Sequence, residues 1–172
     1  IRDGVYGALL GPRRRELHRL AAAWFDGRDP VLHAQHLDRA ESPAAPAALG
    51  AAALALLGDY RAERALELAE RGLALATTAE DRSRLAGLVG DILLDLGRAA
   101  PALEAYSAAL ESAPDAAAAC RARLGRAGAM RLVDRLDEAM AELEKAEPEA
   151  SRLGLMAEQS TLHYLRGNLY FP

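Results

Sequence analysis

The 172-residue chain has little of several things that commit a sequence to a class. A single cysteine, Cys120, excludes an internal disulfide framework and fits a reducing compartment. Aromatics make up 5%, lysine occurs once, at Lys145, and β-branched residues are scarce, so strand propensity is low almost everywhere. The longest apolar run, residues 44–58, is too short and too interrupted by Pro46 and Gly50 to cross a bilayer, and no signal peptide is visible. The expectation is a cytoplasmic protein with no membrane partner. At a net charge of -4, with Arg13–Arg15 the sole basic run, the concentrated positive surface that binds phosphates is missing, and no nucleic-acid partner is expected. There is no G-x-x-x-x-G-K-[ST] loop to cradle phosphates and no acidic strand end to hold magnesium. Neither a catalytic residue nor a cofactor is assigned.

What the chain does have is alanine, leucine and a period. The 51% apolar content is ample for a core, and Ala and Leu supply most of it, so the expected fold class is all-α. Ala65, Ala102 and Ala139 stand 37 residues apart, as do Ala69, Tyr106 and Leu143, then Gly72, Ala109 and Ala146, and also Ala53, Gly90 and Ala127. Each unit carries a small residue in a first helix and a small pair in a second. Breaks at Leu56–Tyr60, Asp95–Arg98 and Leu132–Arg135 separate the two. Helices are expected at 46–57, 61–76, 80–96, 99–112, 116–132, 135–151 and 156–171. On this reading Tyr106 fills the space between stacked helices beside Ala102 and Ala109, and Pro114 ends its helix.

The unit from Ser83 carries Val89-Gly90, Leu93, Gly97, Ala102, Tyr106, Ala109 and Pro114. In that order and spacing it resembles the tetratricopeptide repeat, an αα superhelix of stacked helix hairpins. Flanking units depart from the pattern: Arg126 replaces a leucine, Leu143 the aromatic, and the terminal proline is displaced. Residues 41–172 are thus expected to form degenerate repeats of about 37 residues, the last one truncated. Gly167 is then expected to take the place of Gly90. Leu162, Leu165, Leu169, Tyr170 and Phe171 would form an uncovered apolar face open to self-association.

Residues 1–40 do not follow the period. Val5, Tyr6, Leu9 and Leu10 suit a short helix, Leu17, Leu20, Ala21, Trp24 and Phe25 a second one with Trp24 as a core anchor, and Asp29-Pro30 opens a third, Val31 to Ala40. With Leu17-His18, Ala22-Ala23-Trp24-Phe25 and His36-Leu37, the stretch resembles the junction that follows the ATPase and winged-helix regions of STAND-type signalling ATPases. These include maltose-regulator-like transcription factors and bacterial class III nucleotide cyclase-linked regulators. Arg166 to Phe171 extends the resemblance over nearly the whole chain. It implies a sensor arm within a larger signalling protein, whose partners are a protein, a peptide or other domains of the parent chain.

Two constellations were weighed for chemistry. His33 and His36, at i and i+3, could face a metal with His18 and Asp38 as further donors, but no third ligand is evident and no metal site is expected. Asp91 and Asp95, at i and i+4, have no companion for acid–base work. The remaining candidate is the face lined by first helices. By tetratricopeptide register Arg84, Asp91, Asp95, Arg121, Arg131, Tyr164 and Asn168 point there, a mixed surface suited to a peptide or protein, with a small effector as the alternative. The Lys and Asn set that clamps a C-terminal carboxylate in chaperone-binding members is not present.

Overall fold

The computed structural model describes residues 11–170, and every regular element among them is a helix. The short helix expected at Val5–Leu10 and the apolar contribution of Phe171 fall outside these residues. The helices are α1 (Gly11–Phe25), α2 (Pro30–Arg39), α3 (Ala45–Gly58), α4 (Ala62–Leu75), α5 (Ala79–Asp95), α6 (Ala99–Glu111), α7 (Ala116–Leu132), α8 (Leu136–Arg152) and α9 (Met156–Tyr170). The all-α architecture of consecutively packed helix pairs is the one expected from the composition, and the helix limits agree to within about two residues. Packing divides the chain between Leu75 and Ala76. The first unit therefore joins the aperiodic residues with the first hairpin, α3–α4.

In the first unit α1 packs on α2, α2 on α3 and α3 on α4. Asp29 caps α2 by accepting from Leu32 N at 2.9 Å, and Pro30 opens the helix where no backbone donor is lost. α1 turns His18 and Ala22 inward, one helical turn apart. Trp24 is consequently not a core anchor: it is 63% exposed, with the Arg28 guanidinium 4.4 Å over its ring, and Leu17 and Leu20 share its outward face.

In the second unit the first helix α7 touches both α5 and α9, while α6 and α8 each pack between successive first helices. The 37-residue period reappears here as backbone and side-chain chemistry. Thr78 and Asp115 cap α5 and α7, accepting from Asp81 N and Ala118 N at 3.0 and 2.7 Å. Ser83 Oγ donates to Ala109 O at 2.9 Å, and one period later Cys120 Sγ makes the weaker equivalent contact to Ala146 O at 3.8 Å. Cys120 is thus a repeat position bridging two helices, and burial raises its thiol pKa, which suits packing and not nucleophilic chemistry.

The hairpin turns carry the same period in both units. Tyr60, Gly97 and Asp134 all adopt left-handed φ, at 58°, 72° and 60°. After each, an arginine amide returns to close the helix end: Arg61 N to Leu56 O, Arg98 N to Leu93 O and Arg135 N to Met130 O, at 2.9, 2.8 and 2.9 Å. Glycine meets this demand without strain only at position 97. The small-residue positions follow suit, for Ala53, Gly90, Ala127, Ala65, Ala102, Ala139, Ala109 and Ala146 are all buried.

At the end of the chain the helix limits are those expected, and the rotation of α9 is not. Pro148 lies inside α8, which runs on to Arg152, and the connection to α9 is short, with Gly154 at φ 64°. α9 then turns Leu162 and Leu165, at 2% and 9% exposure, into the core with Cys120, Leu124 and Leu143, and Leu169 packs beside them. Gly167 stays exposed, with open space around it, and does not occupy the buried place that Gly90 has. Two branched side chains need the contact with α7 and α8 more than a glycine does, and that sets the rotation of α9. The apolar residues left outward on α9 are Met156, Tyr164 and Tyr170.

The turn geometry yields a stability prediction. Tyr60 is almost fully solvated, so replacing it removes no packing, and a non-glycine residue at left-handed φ carries a cost of about 1 kcal/mol. Tyr60→Gly is expected to stabilise the chain by about 0.5–1 kcal/mol, and Gly97→Ala to destabilise it by a similar amount. Urea titration followed by circular dichroism checks both signs.

Candidate functional site

The second unit contains a groove of about 400 Å³ built on its first helices. α5 contributes Asp91 and Leu94, α7 contributes Arg121, Leu124, Gly125 and Gly128, α9 contributes Ala157, Glu158, Thr161 and Leu165, and Tyr106 reaches in from α6. Its position follows from the repeat, because successive first helices stand side by side and small residues of α7 and α9 lie along the seam.

Tyr106 organises this furrow. Its ring lies between two glycines: a Cβ added to Gly90 would stand 2.8 Å from the ring, and one added to Gly125 would stand 2.2 Å from it. The wedge is therefore held between α5 and α7 by bare backbone on both sides, and not by the alanines alone, although Ala102 and Ala109 are buried as expected. The phenol donates to Asp91 Oδ1 at 2.6 Å. Burial first, and then the neighbouring charge of Asp91, push the phenol pKa far upward, so it remains a donor.

Asp91 is exposed, and its carboxylate is partly desolvated where it meets the Tyr106 hydroxyl. That desolvation raises its pKa. The Tyr106 hydrogen bond pulls the other way, and repulsion from Asp95 adds to the rise. Across the groove Arg121 pairs with Glu158 at 3.4 Å.

Of the residues expected on this face, Asp91 and Arg121 line the groove. Asp95 lies one turn beyond Asp91 and acts on it through charge alone. Arg84 is held by Asp81 at 3.1 Å, away from the groove. Arg131 is half-buried, and its Nε has no hydrogen-bond partner. Tyr164 and Asn168 sit on α9 but do not line the groove. Sequence reasoning missed the Tyr106 hydroxyl and the two glycines of α7, because Tyr106 was assigned wholly to packing. It also missed Glu158, although one repeat period from Arg121 lands on it.

Arg126, which stands where the repeat expects leucine, has an electrostatic explanation. Glu142 of α8 is buried, which by itself would raise its pKa, but Lys145 at 2.9 Å, Arg123 at 3.2 Å and Arg126 at 3.7 Å together hold it below the usual carboxylate range. An ion cluster replaces an apolar contact at that position.

In the first unit the histidines are brought together by tertiary packing and not as an i, i+3 pair. His18 Nδ1 meets His36 Nδ1 at 2.8 Å, Phe25 stacks on His36 at 5.6 Å, and His33 Nδ1 turns to Ala22 O at 2.9 Å. One imidazole must donate and the other accept, so at most one can be protonated without losing the bond. Asp38 is engaged by a fork from Arg71 at 2.8 and 2.9 Å. Among the described residues no group of three or more His, Cys, Asp or Glu side chains could hold a metal ion. A second cleft, of about 360 Å³, lies between α2, α3 and α4, where the Arg71–Asp38 and Arg64–Glu67 pairs stand beside a third cation, Arg39.

No helix of the described residues is long and apolar enough to cross a membrane. No family model matches the chain, and no curated protein matches it.

Two predictions arise from these arrangements. Gly125→Ala is expected to destabilise the second unit by about 1–2 kcal/mol net, because overpacking against a ring already held by Gly90 outweighs the roughly 1 kcal/mol gained in helix propensity. Gly87→Ala, which meets nothing within 4 Å, is expected to stabilise by up to about 1 kcal/mol. Equal changes at both glycines in chemical denaturation would refute the wedge. For the histidine pair, burial lowers both pKa values below 6.5, with help from the Arg39 charge, and for His18 from His36 as well. A lowered histidine pKa contributes stability that is present above about 6.5 and lost as pH falls through the folded value. The first unit should therefore weaken between neutral pH and pH 5. His36→Gln should flatten that dependence, as read by hydrogen exchange of α1 and α2 amides.

Proposed function

We propose that the chain is a non-enzymatic, tetratricopeptide-like helical repeat module that serves protein–protein interaction and regulation within a larger signalling protein. The parent class suggested by the sequence resemblance is a bacterial STAND-type ATPase, close to nucleotide cyclase-linked and maltose-regulator-like regulators, acting in the cytoplasm. The observation that carries the reading is the open groove across α5, α7 and α9, with an apolar floor of Leu94, Leu124 and Leu165 and polar groups along its edges. Such a furrow suits an extended or helical segment, which gains from many weak apolar contacts and takes its register from a few polar ones. The outward stripe of Leu17, Leu20 and Trp24 on α1 offers further apolar surface for contact with another domain or protein.

A second reading keeps the same groove for a small effector that shifts the parent between inactive and active states. Its volume lies within the range of small-molecule sites, and Asp91, Tyr106 and the Arg121–Glu158 pair converge on it.

Peptide display against the purified chain discriminates the two. Peptides selected on the wild type are expected to lose at least about tenfold in affinity on Ala157→Arg, which obstructs the groove from an exposed position. Selected peptides that bind the blocked variant equally well would refute the groove as the peptide site. A small metabolite that raises the melting temperature of the wild type but not of Ala157→Arg would favour the effector reading. The purified chain is expected to turn over neither ATP nor GTP, and turnover abolished by a point mutation within it would overturn the non-enzymatic assignment.

A further inference from the structure

The groove is electrostatically one-sided. Its lining carries Asp91, Glu158 and a single cation, Arg121, and that cation is spent on Glu158 across the furrow at 3.4 Å. Asp91 receives one hydrogen bond, from Tyr106 through Oδ1, and its other oxygen accepts from no donor among the described residues. Asp95, one turn along α5, adds a second negative charge. A carboxylate at a groove edge with one oxygen unengaged among the described residues can accept a cationic donor there. A charge-assisted hydrogen bond of that kind is stronger than one between neutral groups.

The apolar residues define the rest of the occupant. Leu94, Leu124 and Leu165 form the floor, and the Tyr106 ring fills the space beside Gly125. An arginine or lysine side chain can lie its methylenes along such a floor and present its head to a carboxylate.

On the peptide-binding reading above, we infer that this groove selects a basic peptide segment: an arginine or lysine seats its cation against Asp91, and an aliphatic side chain of the same segment packs over Leu124 and Leu165. A peptide is preferred to a free small cation because the furrow continues past Asp91 to Ala157 and Thr161 on α9, surface that a single headgroup would leave uncovered. An acidic segment is disfavoured, since it would face Asp91, Asp95 and Glu158 together.

The test uses the 172-residue chain and blocked peptides of sequence Ac-Ala-Leu-Ala-Ala-X-Leu-Ala-NH2, with X arginine, glutamine or glutamate. Affinity is read from amide shifts of Gly125, Gly128 and Thr161. The arginine peptide is expected to bind at least about tenfold tighter than the glutamate peptide, with glutamine between, and the ratio should shrink in 0.5 M salt. Asp91→Asn, which keeps an acceptor for Tyr106, should bring the arginine and glutamine peptides to within about twofold of each other. Equal binding of all three peptides to the wild type would overturn the charge selection and leave the peptide groove standing, whereas no binding of any peptide at millimolar concentration would overturn both. If ethylguanidinium binds as tightly as the arginine peptide, the occupant is a free cation and not a peptide. Shifts of the groove amides on simple dilution of the chain, with a dimer in sedimentation, would make a second copy the occupant and overturn the proposal.

Discussion

The second unit depends on one rigid ring between two bare stretches of helix backbone. Glycine at positions 90 and 125 costs about 1 kcal/mol of helix propensity each, a loss a sequence so rich in alanine could easily avoid. The compensation is Tyr106, whose burial removes roughly 150–200 Å² from water and contributes about 4 kcal/mol. The balance favours the wedge, and the geometry follows from it. α5, α6 and α7 meet at the thickness of an aromatic ring, and the phenol is carried to Asp91 at the groove edge. Packing and binding chemistry are thus joined through a single side chain.

Around that wedge the repeat is maintained less by particular residues than by particular duties. The left-handed turn position is filled by Tyr60, Gly97 and Asp134, three side chains with nothing in common except the backbone angle they accept. The bridge from a first helix to the following second helix is made by a hydroxyl at Ser83 and a thiol at Cys120. Where an apolar contact is given up, at Arg126, a buried Glu142 is supplied with three cations instead. A period held by function at each position tolerates wide change in residue type, which is why these units look degenerate when compared letter by letter.

The two units answer their polar groups differently. In the first, the Arg71 fork satisfies Asp38, and the histidines satisfy each other. In the second, Glu142 and Glu147 are neutralised by cations of their own or a neighbouring helix, and Asp91 is the carboxylate at the groove that is not. A carboxylate without a cation, set over an apolar floor, suits that furrow to a basic partner.

The helical class, the 37-residue period, the hairpin breaks and nearly all small buried positions were legible in the sequence, since they rest on propensity, steps of three and four, and spacing along one chain. Asp91 and Arg121 were legible as groove residues only through the resemblance to the tetratricopeptide register, which also named five residues that do not line the groove. What the sequence left open depends on the rotation of one helix against another, which no local pattern encodes. Trp24 turned outward because His18 and Ala22 took the inner face of α1, and Gly167 stayed in solvent because Leu162 and Leu165 took that of α9. The meeting of His18 with His36, of Arg121 with Glu158, and of one tyrosine with two glycines on separate helices joins residues far apart in sequence. Their approach is decided by which surfaces pack best, a competition settled only when all the helices are in place.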